Sequence, residues 1–319
     1  MRSRFVRALA ACVLLACTPV LSAELDPHAT DYAFAALGDT PYSTDEEQQF
    51  VAMIAEMNHS ALAFVVHVGD FKSATTVCSD ALYLQRRDWF RLSHHPFVYV
   101  PGDNEWSDCW RPFASGRDPL ERLAKLRELF FDSDQALGQS PLTLERQMHV
   151  AREPGMRYPE HSRWMYGRVV YATFNLPGPD NNRTRMPEEA ALRMMAAREW
   201  MKSSFALARE LQLPAVVLFM QADLWRPNGQ PRPAFAELLQ DVASEAGRYR
   251  GKVLLVHGDT HQFRVDHPLF DPGTRRAVKN VTRLEVYGSP IVNWVHVKVQ
   301  VRGDSARFEI TPGSSFGNP

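Results

Sequence analysis

The chain has 319 residues, of which 45% are hydrophobic and 23% charged, and its formal net charge is −1. This composition excludes an intrinsically disordered protein, which lacks enough apolar residues to form a core. The near-neutral charge argues against a broad electrostatic footprint for nucleic acid or an anionic membrane.

The N-terminus has the residue order of a secretory signal peptide. Three arginines within the first seven residues precede an apolar run over residues 8–17, and small residues follow up to Ala23. We expect cleavage after Ala23, which leaves residues 24–319 as an exported protein, periplasmic or secreted. One alternative is a buried or amphipathic N-terminal helix, and another is a lipoprotein anchored through an acylated Cys17. No later apolar stretch is long enough to cross a bilayer.

Short apolar runs bounded by turn residues alternate with longer amphipathic stretches. The short runs predict buried strands over residues 32–37, 61–68, 96–100, 215–220 and 252–256. The longer stretches have helical spacing over residues 44–58, 79–92, 119–131, 188–211 and 233–246. The first of these helices begins with a capping box, in which Glu47 reaches back towards Thr44. Strands and helices in alternation predict a largely parallel sheet.

The later predicted strands are not separated by long helices. They cover residues 169–175, 283–287, 294–301 and 306–310. We predict that the last three form an antiparallel set, with a hairpin turn at residues 302–304. Two sheets packed face to face, with helices outside, would use every element, so we expect one domain.

Four of the predicted strands are followed by the same dipeptide: Gly38-Asp39, Gly69-Asp70, Gly102-Asp103 and Gly258-Asp259. About one Gly-Asp pair is expected by chance at average composition. A turn or a helix N-cap would explain any single pair. Because ligands bind beyond the carboxyl ends of strands in open α/β sheets, we predict that all four aspartates face one crevice. Clustered carboxylates repel each other unless protons or cations intervene, which favours a metal site.

The order of these motifs resembles the calcineurin-like metallophosphoesterase superfamily. Its members carry D-x-H, then G-D, then G-N-H-[DE], then a histidine after an apolar strand, then G-H-x-H. The matching segments here are residues 39–41, 69–70, 102–105, 221 and 258–261. The resemblance covers nearly the whole mature chain and implies an α/β fold, the four-layer α/β/β/α sandwich of the metallophosphoesterase type. The motifs GDTPY, GDNEW and GDTH resemble a divergent bacterial subgroup.

The resemblance implies a set of metal ligands, in which Asp70 bridges two ions: Asp39, Asp70, Asp103, Gln221, Asp259 and His261. Pro41, Gln221 and Asp259 stand where the family has histidine ligands. Such an oxygen-rich set favours two divalent ions of manganese, magnesium or calcium over zinc, which prefers imidazole and thiolate.

The activity implied is hydrolysis of phosphate mono- or diesters by a two-metal mechanism with a bridging hydroxide. Asn104 stands where the family has the histidine that assists the leaving group, so Asp70, Asn104, Glu105 and His257 are the candidate catalytic residues. The alternative for His257 is to orient a neighbouring carboxylate. If turnover was lost with the family histidines, the protein is instead a binding module for metal or a phosphate ligand.

Three further residues are candidates for substrate binding: Lys72, Asn104 and Arg111. The alternative for the two basic residues is a solvated surface charge.

Outside the leader the chain has two cysteines, Cys78 and Cys109. Each follows a Gly-Asp pair by a few residues, and an oxidising compartment favours a disulfide between them. The alternative is two unpaired buried thiols.

Overall fold

The computed structural model describes residues 28–151 and 153–313. Its strands, numbered along the chain, are β1 (Asp31–Leu37), β2 (Val65–His67), β3 (Phe97–Tyr99), β4 (Glu145–Arg146), β5 (Ser162–Tyr166), β6 (Val169–Thr173), β7 (Ala215–Phe219), β8 (Lys252–His257), β9 (Arg264–Asp266), β10 (Val281–Glu285), β11 (Val295–Arg302) and β12 (Ser305–Pro312). Its α-helices are α1 (Thr44–Met57), α2 (Asp80–Phe90), α3 (Pro119–Phe130), α4 (Gln147–Val150), α5 (Pro187–Glu210) and α6 (Ala236–Arg248). The predicted leader, residues 1–23 with Cys17, lies outside the described residues.

The strands form two mixed sheets. The first has the order β12-β11-β1-β2-β3, and the second has the order β4-β5-β6-β7-β8-β10-β9. In the first sheet β1, β2 and β3 are parallel. In the second sheet β6, β7, β8 and β10 are parallel. Because parallel strands end at the same edge, the loops after β1, β2 and β3 emerge side by side.

An apolar core holds the two sheets face to face. Phe34 of β1 packs edge-on against Tyr171 of β6 and Phe219 of β7. Phe64, just before β2, lies with its ring centroid 4.9 Å from that of Tyr171. The alternate residues of β1 pack instead against the helices on the outer side. Both faces of the central strands are therefore buried, which explains their continuous apolar sequences.

Helices cover the outer face of each sheet. α1, α2 and α3 pack on the first sheet, and α5 and α6 pack on the second. The order of layers is thus helix, sheet, sheet, helix, and the predicted four-layer α/β/β/α class is confirmed. None of the helices in the described part of the chain is both long and apolar enough to cross a bilayer.

The capping box of α1 lies one residue earlier than predicted. Ser43, not Thr44, is the N-cap, and its side chain accepts a hydrogen bond from the Glu46 N–H. Glu46 reaches back to the N–H of Tyr42, and Glu47 pairs with Arg86 across the helix layer. The shift frees Glu47 for a tertiary contact that the local sequence does not reveal.

The prediction of one antiparallel set near the C-terminus is only partly correct. β11 and β12 form the expected hairpin, with the turn at Gly303 and Asp304. β10, however, lies in the other sheet, parallel to β8. The long connection between them, which contains β9, returns the chain to the same end of the sheet without a helix. The short strands β4, β5 and β9 were not predicted.

Candidate metal centre

The strand-end aspartates of both sheets meet at one place. Asp39, Asp70 and Asp103 follow the neighbouring strands β1, β2 and β3, and Asp259 follows β8 of the second sheet. The N–H of Asp259 lies 3.1 Å from each carboxylate oxygen of Asp39, which joins the two sheet edges. The Asp39 N–H donates to the Gly69 carbonyl at 2.9 Å. Asp39 and Asp70 are buried, whereas Asp103 and Asp259 are partly exposed.

At two of the four positions, steric contact explains why a glycine precedes the aspartate. A Cβ on Gly258 would lie 1.8 Å from Asp39 Oδ2, and one on Gly102 would lie 2.1 Å from Asp70 Oδ1. The carboxylates therefore pack against bare backbone, which only glycine permits. This close approach accounts for the repeated dipeptide at these sites better than a turn requirement does.

The backbone is unusual at the same residues. Asp39, Asp70, Asp259 and His261 have φ angles of 51°, 57°, 79° and 61°. Left-handed backbone is uncommon for residues other than glycine, and it concentrates at functional sites where the surrounding structure maintains it. Its concentration here favours a binding or catalytic role for this cluster.

Donors surround the carboxylate of Asp70. Its oxygens accept hydrogen bonds from the Asn104 N–H at 2.9 Å, the Gln221 side-chain amide at 3.1 Å and the Tyr42 hydroxyl at 3.3 Å. Gln221 accepts the Gly178 N–H on its own oxygen at 2.6 Å, so its nitrogen faces Asp70. An amide nitrogen that carries two protons has no lone pair for a metal. Gln221 thus orients Asp70 in this arrangement, and its role as a metal ligand stays a prediction.

Burial and mutual repulsion raise the carboxyl pKa values of the cluster. The pKa values of Asp39, Asp70 and Asp103 lie well above the ordinary value, first because of burial and then because of the neighbouring carboxylates. Burial raises the pKa of Asp259 to about 6. Ionising all four groups without a counter-charge is therefore unfavourable.

His261 is oriented as a ligand would be. Its Nδ1 donates to the Ser289 carbonyl at 2.8 Å, which leaves the lone pair on Nε2. Nε2 lies 3.7 Å from Asp39 Oδ1, and the side chain is 29% exposed. The imidazole therefore presents its free nitrogen to the carboxylate cluster.

The donor chemistry of this cluster fits divalent cations. Four carboxylates and one imidazole converge, and hard oxygen ligands suit Mg²⁺, Mn²⁺ or Ca²⁺. Among residues 28–151 and 153–313, no three His, Cys, Asp or Glu side chains form a ready-made metal-binding group. The carboxylates instead accept hydrogen bonds from one another's backbone and from Asn104, Gln221 and Tyr42. Cation binding would thus require these side chains to exchange hydrogen bonds for metal contacts.

Two candidate catalytic residues have other tasks. Glu105 is buried, and its Oε1 accepts from the N–H groups of Asp70 and Gly102 and from the Tyr99 hydroxyl. It therefore organises the loop under the cluster. His257 is buried against the Gly258 carbonyl, with Nε2 3.8 Å from Asp223. Burial lowers its pKa. Its contacts favour the orienting role, and a catalytic role for His257 stays a prediction.

The predicted substrate-binding residues differ in exposure. Lys72 is buried, and its Nζ donates to the carbonyls of Ser73 and Asn104 at 2.9 and 2.6 Å. Burial lowers its pKa to about 8. Lys72 thus supports the loop beneath the cluster, and its role as a substrate contact stays a prediction. Arg111 is on the rim but pairs with Asp108 at 2.9 Å.

Two residues at the site were not predicted. Tyr42 follows Pro41 directly, and its hydroxyl also accepts a hydrogen bond from the Asn104 side chain at 3.0 Å. Its proximity in sequence to Asp39 was the available signal. Arg232 lies in the loop between β7 and α6, and its charge lowers the pKa of Asp259. No local pattern marks that arginine.

The cysteines form the expected disulfide. Cys78 and Cys109 are joined with a Cα–Cα distance of 5.8 Å, so the disulfide prediction is confirmed. The bond connects the loop after β2 to the loop after β3. Cys78 lies between Asp70 and α2, and Cys109 lies five residues after Asn104. The bond therefore restrains the two loops that carry Lys72 and Asn104.

Protonation of Asp259 should be measurable in metal-stripped protein. Its folded-state pKa of about 6 exceeds the ordinary 3.8, so the folded state loses stability as pH rises from about 4 through 6. We expect Asp259→Asn to remove that loss. We compare the difference in unfolding free energy, variant minus wild type, at two pH values. This difference should be larger at pH 7.5 than at pH 4.5 by about 2 kcal/mol. Urea unfolding in EDTA at the two pH values measures this difference. Asp304→Asn, at an exposed turn, should show none, and a pH-independent effect of Asp259→Asn would contradict the prediction.

Comparison with known proteins identifies the fold. No protein-family model and no curated protein sequence matches the chain. The solved structure of PhoD superposes with a TM-score of 0.52 over 87% of this chain, at 12% sequence identity. The fold resembles that of PhoD, and its layers are those of a metallophosphoesterase-type α/β/β/α sandwich. The match spans 65% of the PhoD chain, slightly under two thirds, and at this identity it is evidence for the fold alone.

A second solved structure, vacuolar protein sorting 29 from Cryptosporidium parvum, covers 90% of this chain and all of its own length. Its TM-score is 0.30 at 11% identity, which is too low to support an argument.

Proposed function

We propose that the protein is an exported, metal-dependent hydrolase of phosphate mono- or diesters. One observation carries the proposal: four aspartates from two sheets crowd together in a metallophosphoesterase fold, with pKa values raised by burial and mutual repulsion. Divalent cations relieve that repulsion and at the same time create a site for a phosphate anion. The motifs GDTPY, GDNEW and GDTH make a divergent bacterial subgroup the proposed origin of the chain.

The proposed ligands are Asp39, Asp70, Asp103, Asp259 and His261, with Asp70 shared between two ions. Manganese, magnesium or calcium suits this set better than zinc. Bound cations would supply positive charge and Lewis acidity to a phosphoryl group. Gln221 and the Asn104 N–H hold the Asp70 carboxylate in place by hydrogen bonds.

In the described part of the chain, neither Asn104 nor Glu105 offers a titratable acid to the leaving group. The side-chain amide of Asn104 binds the Tyr42 hydroxyl, and the carboxylate of Glu105 serves the loop backbone. An amide can donate a hydrogen bond but cannot transfer a proton at neutral pH. We therefore propose that esters of acidic alcohols, which need no protonated leaving group, are cleaved best.

The same observation supports a second candidate function, a binding module for metal or a phosphate ligand. With Pro41 and Asn104 in place of family histidines, binding could persist without turnover. Assays of purified protein separate the two functions. Protein stripped with chelator and refilled with Mn²⁺, Mg²⁺, Ca²⁺ or Zn²⁺ should hydrolyse an aryl phosphate or a bis-aryl phosphate. Stoichiometric metal binding without turnover, for any of the four ions, would favour the binding module.

Export is a further proposal, for a mature domain of residues 24–319 in the periplasm or medium. The Cys78–Cys109 disulfide supports it, because such bonds persist mainly in oxidising compartments. The intact mass of the protein recovered from its native host tests the leader. Cleavage after Ala23 predicts the mass of residues 24–319 with one disulfide. A lipid-modified chain that begins at Cys17 would instead show the anchored form.

A further inference from the structure

An arginine beside the carboxylate cluster has an unsatisfied guanidinium. Arg232 is partly buried, and its Nε is shielded from solvent without a hydrogen-bond partner. Among the described residues, no carboxylate lies within ion-pair distance of it. A buried donor without a partner lowers the stability of the folded protein, so such groups call for an explanation. A ligand of opposite charge is one.

The position of Arg232 is set by the loop that follows Asp223. Its own N–H donates to the Leu224 carbonyl at 2.9 Å, and Trp225 pairs with Pro231 across the base of this loop. The Asp223 N–H donates to Asp259 Oδ2 at 3.0 Å. The same short segment thus contacts the cluster and carries the arginine.

The other cations near the site are already engaged. Lys72 binds two backbone carbonyls beneath the cluster. Arg111 pairs with Asp108, and Arg183 is exposed, with its guanidinium 3.5 Å from the Pro233 carbonyl. Two divalent ions would balance the four aspartates and leave almost no net attraction for a phosphate anion. Of these four basic residues, Arg232 is therefore the one that has free donors and also lies in a loop that contacts the cluster.

We propose that Arg232 binds an unesterified oxygen of the substrate phosphate and gives the site a preference for terminal phosphate groups over diesters. A guanidinium is always charged and its planar fork matches phosphate oxygens. A monoester has three unesterified oxygens and up to two negative charges, whereas a diester has two such oxygens and one charge. Separate cationic donors on two sides of the phosphate are better satisfied by the monoester. The substrate class rests on the proposed phosphoesterase function, but phosphate binding by Arg232 does not require turnover.

The first test is calorimetric binding of inorganic phosphate to the manganese-loaded mature protein. We expect Arg232→Gln to weaken phosphate binding at least about tenfold, the loss typical of a charge-assisted contact. Arg226→Gln is the matched control, since Arg226 is an exposed arginine of the same loop, and should change the affinity less than twofold. Equal affinity in Arg232→Gln and wild type would overturn the proposal, as would a wild type that binds no phosphate.

Kinetics test the preference for monoesters. The ratio of kcat/KM for an aryl phosphate to that for a bis-aryl phosphate should fall about tenfold in Arg232→Gln and stay constant in Arg226→Gln. A wild type that binds phosphate through Arg232 but hydrolyses neither ester would contradict the hydrolase and leave the binding inference standing. If wild type hydrolyses the esters but Arg232→Gln leaves both the ratio and the phosphate affinity unchanged, the hydrolase stands and phosphate binding by Arg232 is contradicted.

A measurement on wild type covers the case in which Arg232→Gln fails to fold. Phenylglyoxal modifies accessible arginines, and peptide mass spectrometry can follow each site. Phosphate should protect Arg232 and not Arg226 in the manganese-loaded protein. Equal labelling of Arg232 with and without phosphate would refute its contact with the anion.

Discussion

Replacing Asp70 with asparagine is expected to lower kcat/KM for an aryl phosphate by at least about 1,000-fold, because the substitution removes the shared anionic ligand at the centre of the proposed two-metal site. Asparagine keeps the size of the side chain and can still accept the Asn104 N–H, although its NH2 group faces the donors of Gln221 and Tyr42, which would have to turn. Thermal unfolding of the variant in EDTA shows whether it folds, which distinguishes a loss of charge and metal affinity from misfolding. Steady-state kinetics at saturating Mn²⁺ provide the measurement.

Thermal unfolding gives a second readout of the same variant. Wild-type protein should gain stability on addition of Mn²⁺, because the ion binds the folded state alone. Asp70→Asn should lose most of that gain, because the variant lacks the shared anionic ligand of the proposed site. Asp304→Asn, at the exposed turn before β12, should behave as wild type in both assays. Full activity of Asp70→Asn would contradict the proposed site.

Loss of the Cys78–Cys109 disulfide should have the largest effect on stability. The bond closes a loop with a sequence separation of 31 residues. Loop-closure entropy predicts that Cys78→Ser/Cys109→Ser is less stable by about 3–4 kcal/mol. Activity should also fall, because the bond restrains the loop of Asn104 against the loop of Lys72. Urea unfolding of the metal-free proteins measures the first effect.

Reduction provides the control for the disulfide. Wild type in a strong reductant should approach the stability of the double serine variant, while the variant itself should not respond. Protein that begins at residue 24 is the right material, since residues 1–23 contain the other two cysteines, Cys12 and Cys17. Equal stability of oxidised wild type and the variant would mean that the loops are held by packing alone.

The layer class and most elements could be predicted from sequence because they depend on local patterns. Continuous apolar runs produce strands buried on both faces, as in β1, β7 and β8, and the helices between them have the expected spacing. The repeated Gly-Asp dipeptides predicted the candidate site for the same reason: each is a local signal at the end of a strand. The disulfide followed from the two cysteines outside the predicted leader.

Other features depend on contacts between residues far apart in sequence, and only the tertiary structure decided them. The sheet that β10 joins depends on the path of a long connection, not on its own residues. The Gln221 side chain donates its amide N–H to Asp70 because its oxygen accepts a hydrogen bond from the Gly178 N–H. Lys72 is buried because the loop of Asn104 supplies a carbonyl for its charge. Sequence alone identifies which side chains are able to bind a cation or a phosphate, whereas packing determines which of them still have a free donor or lone pair at the site.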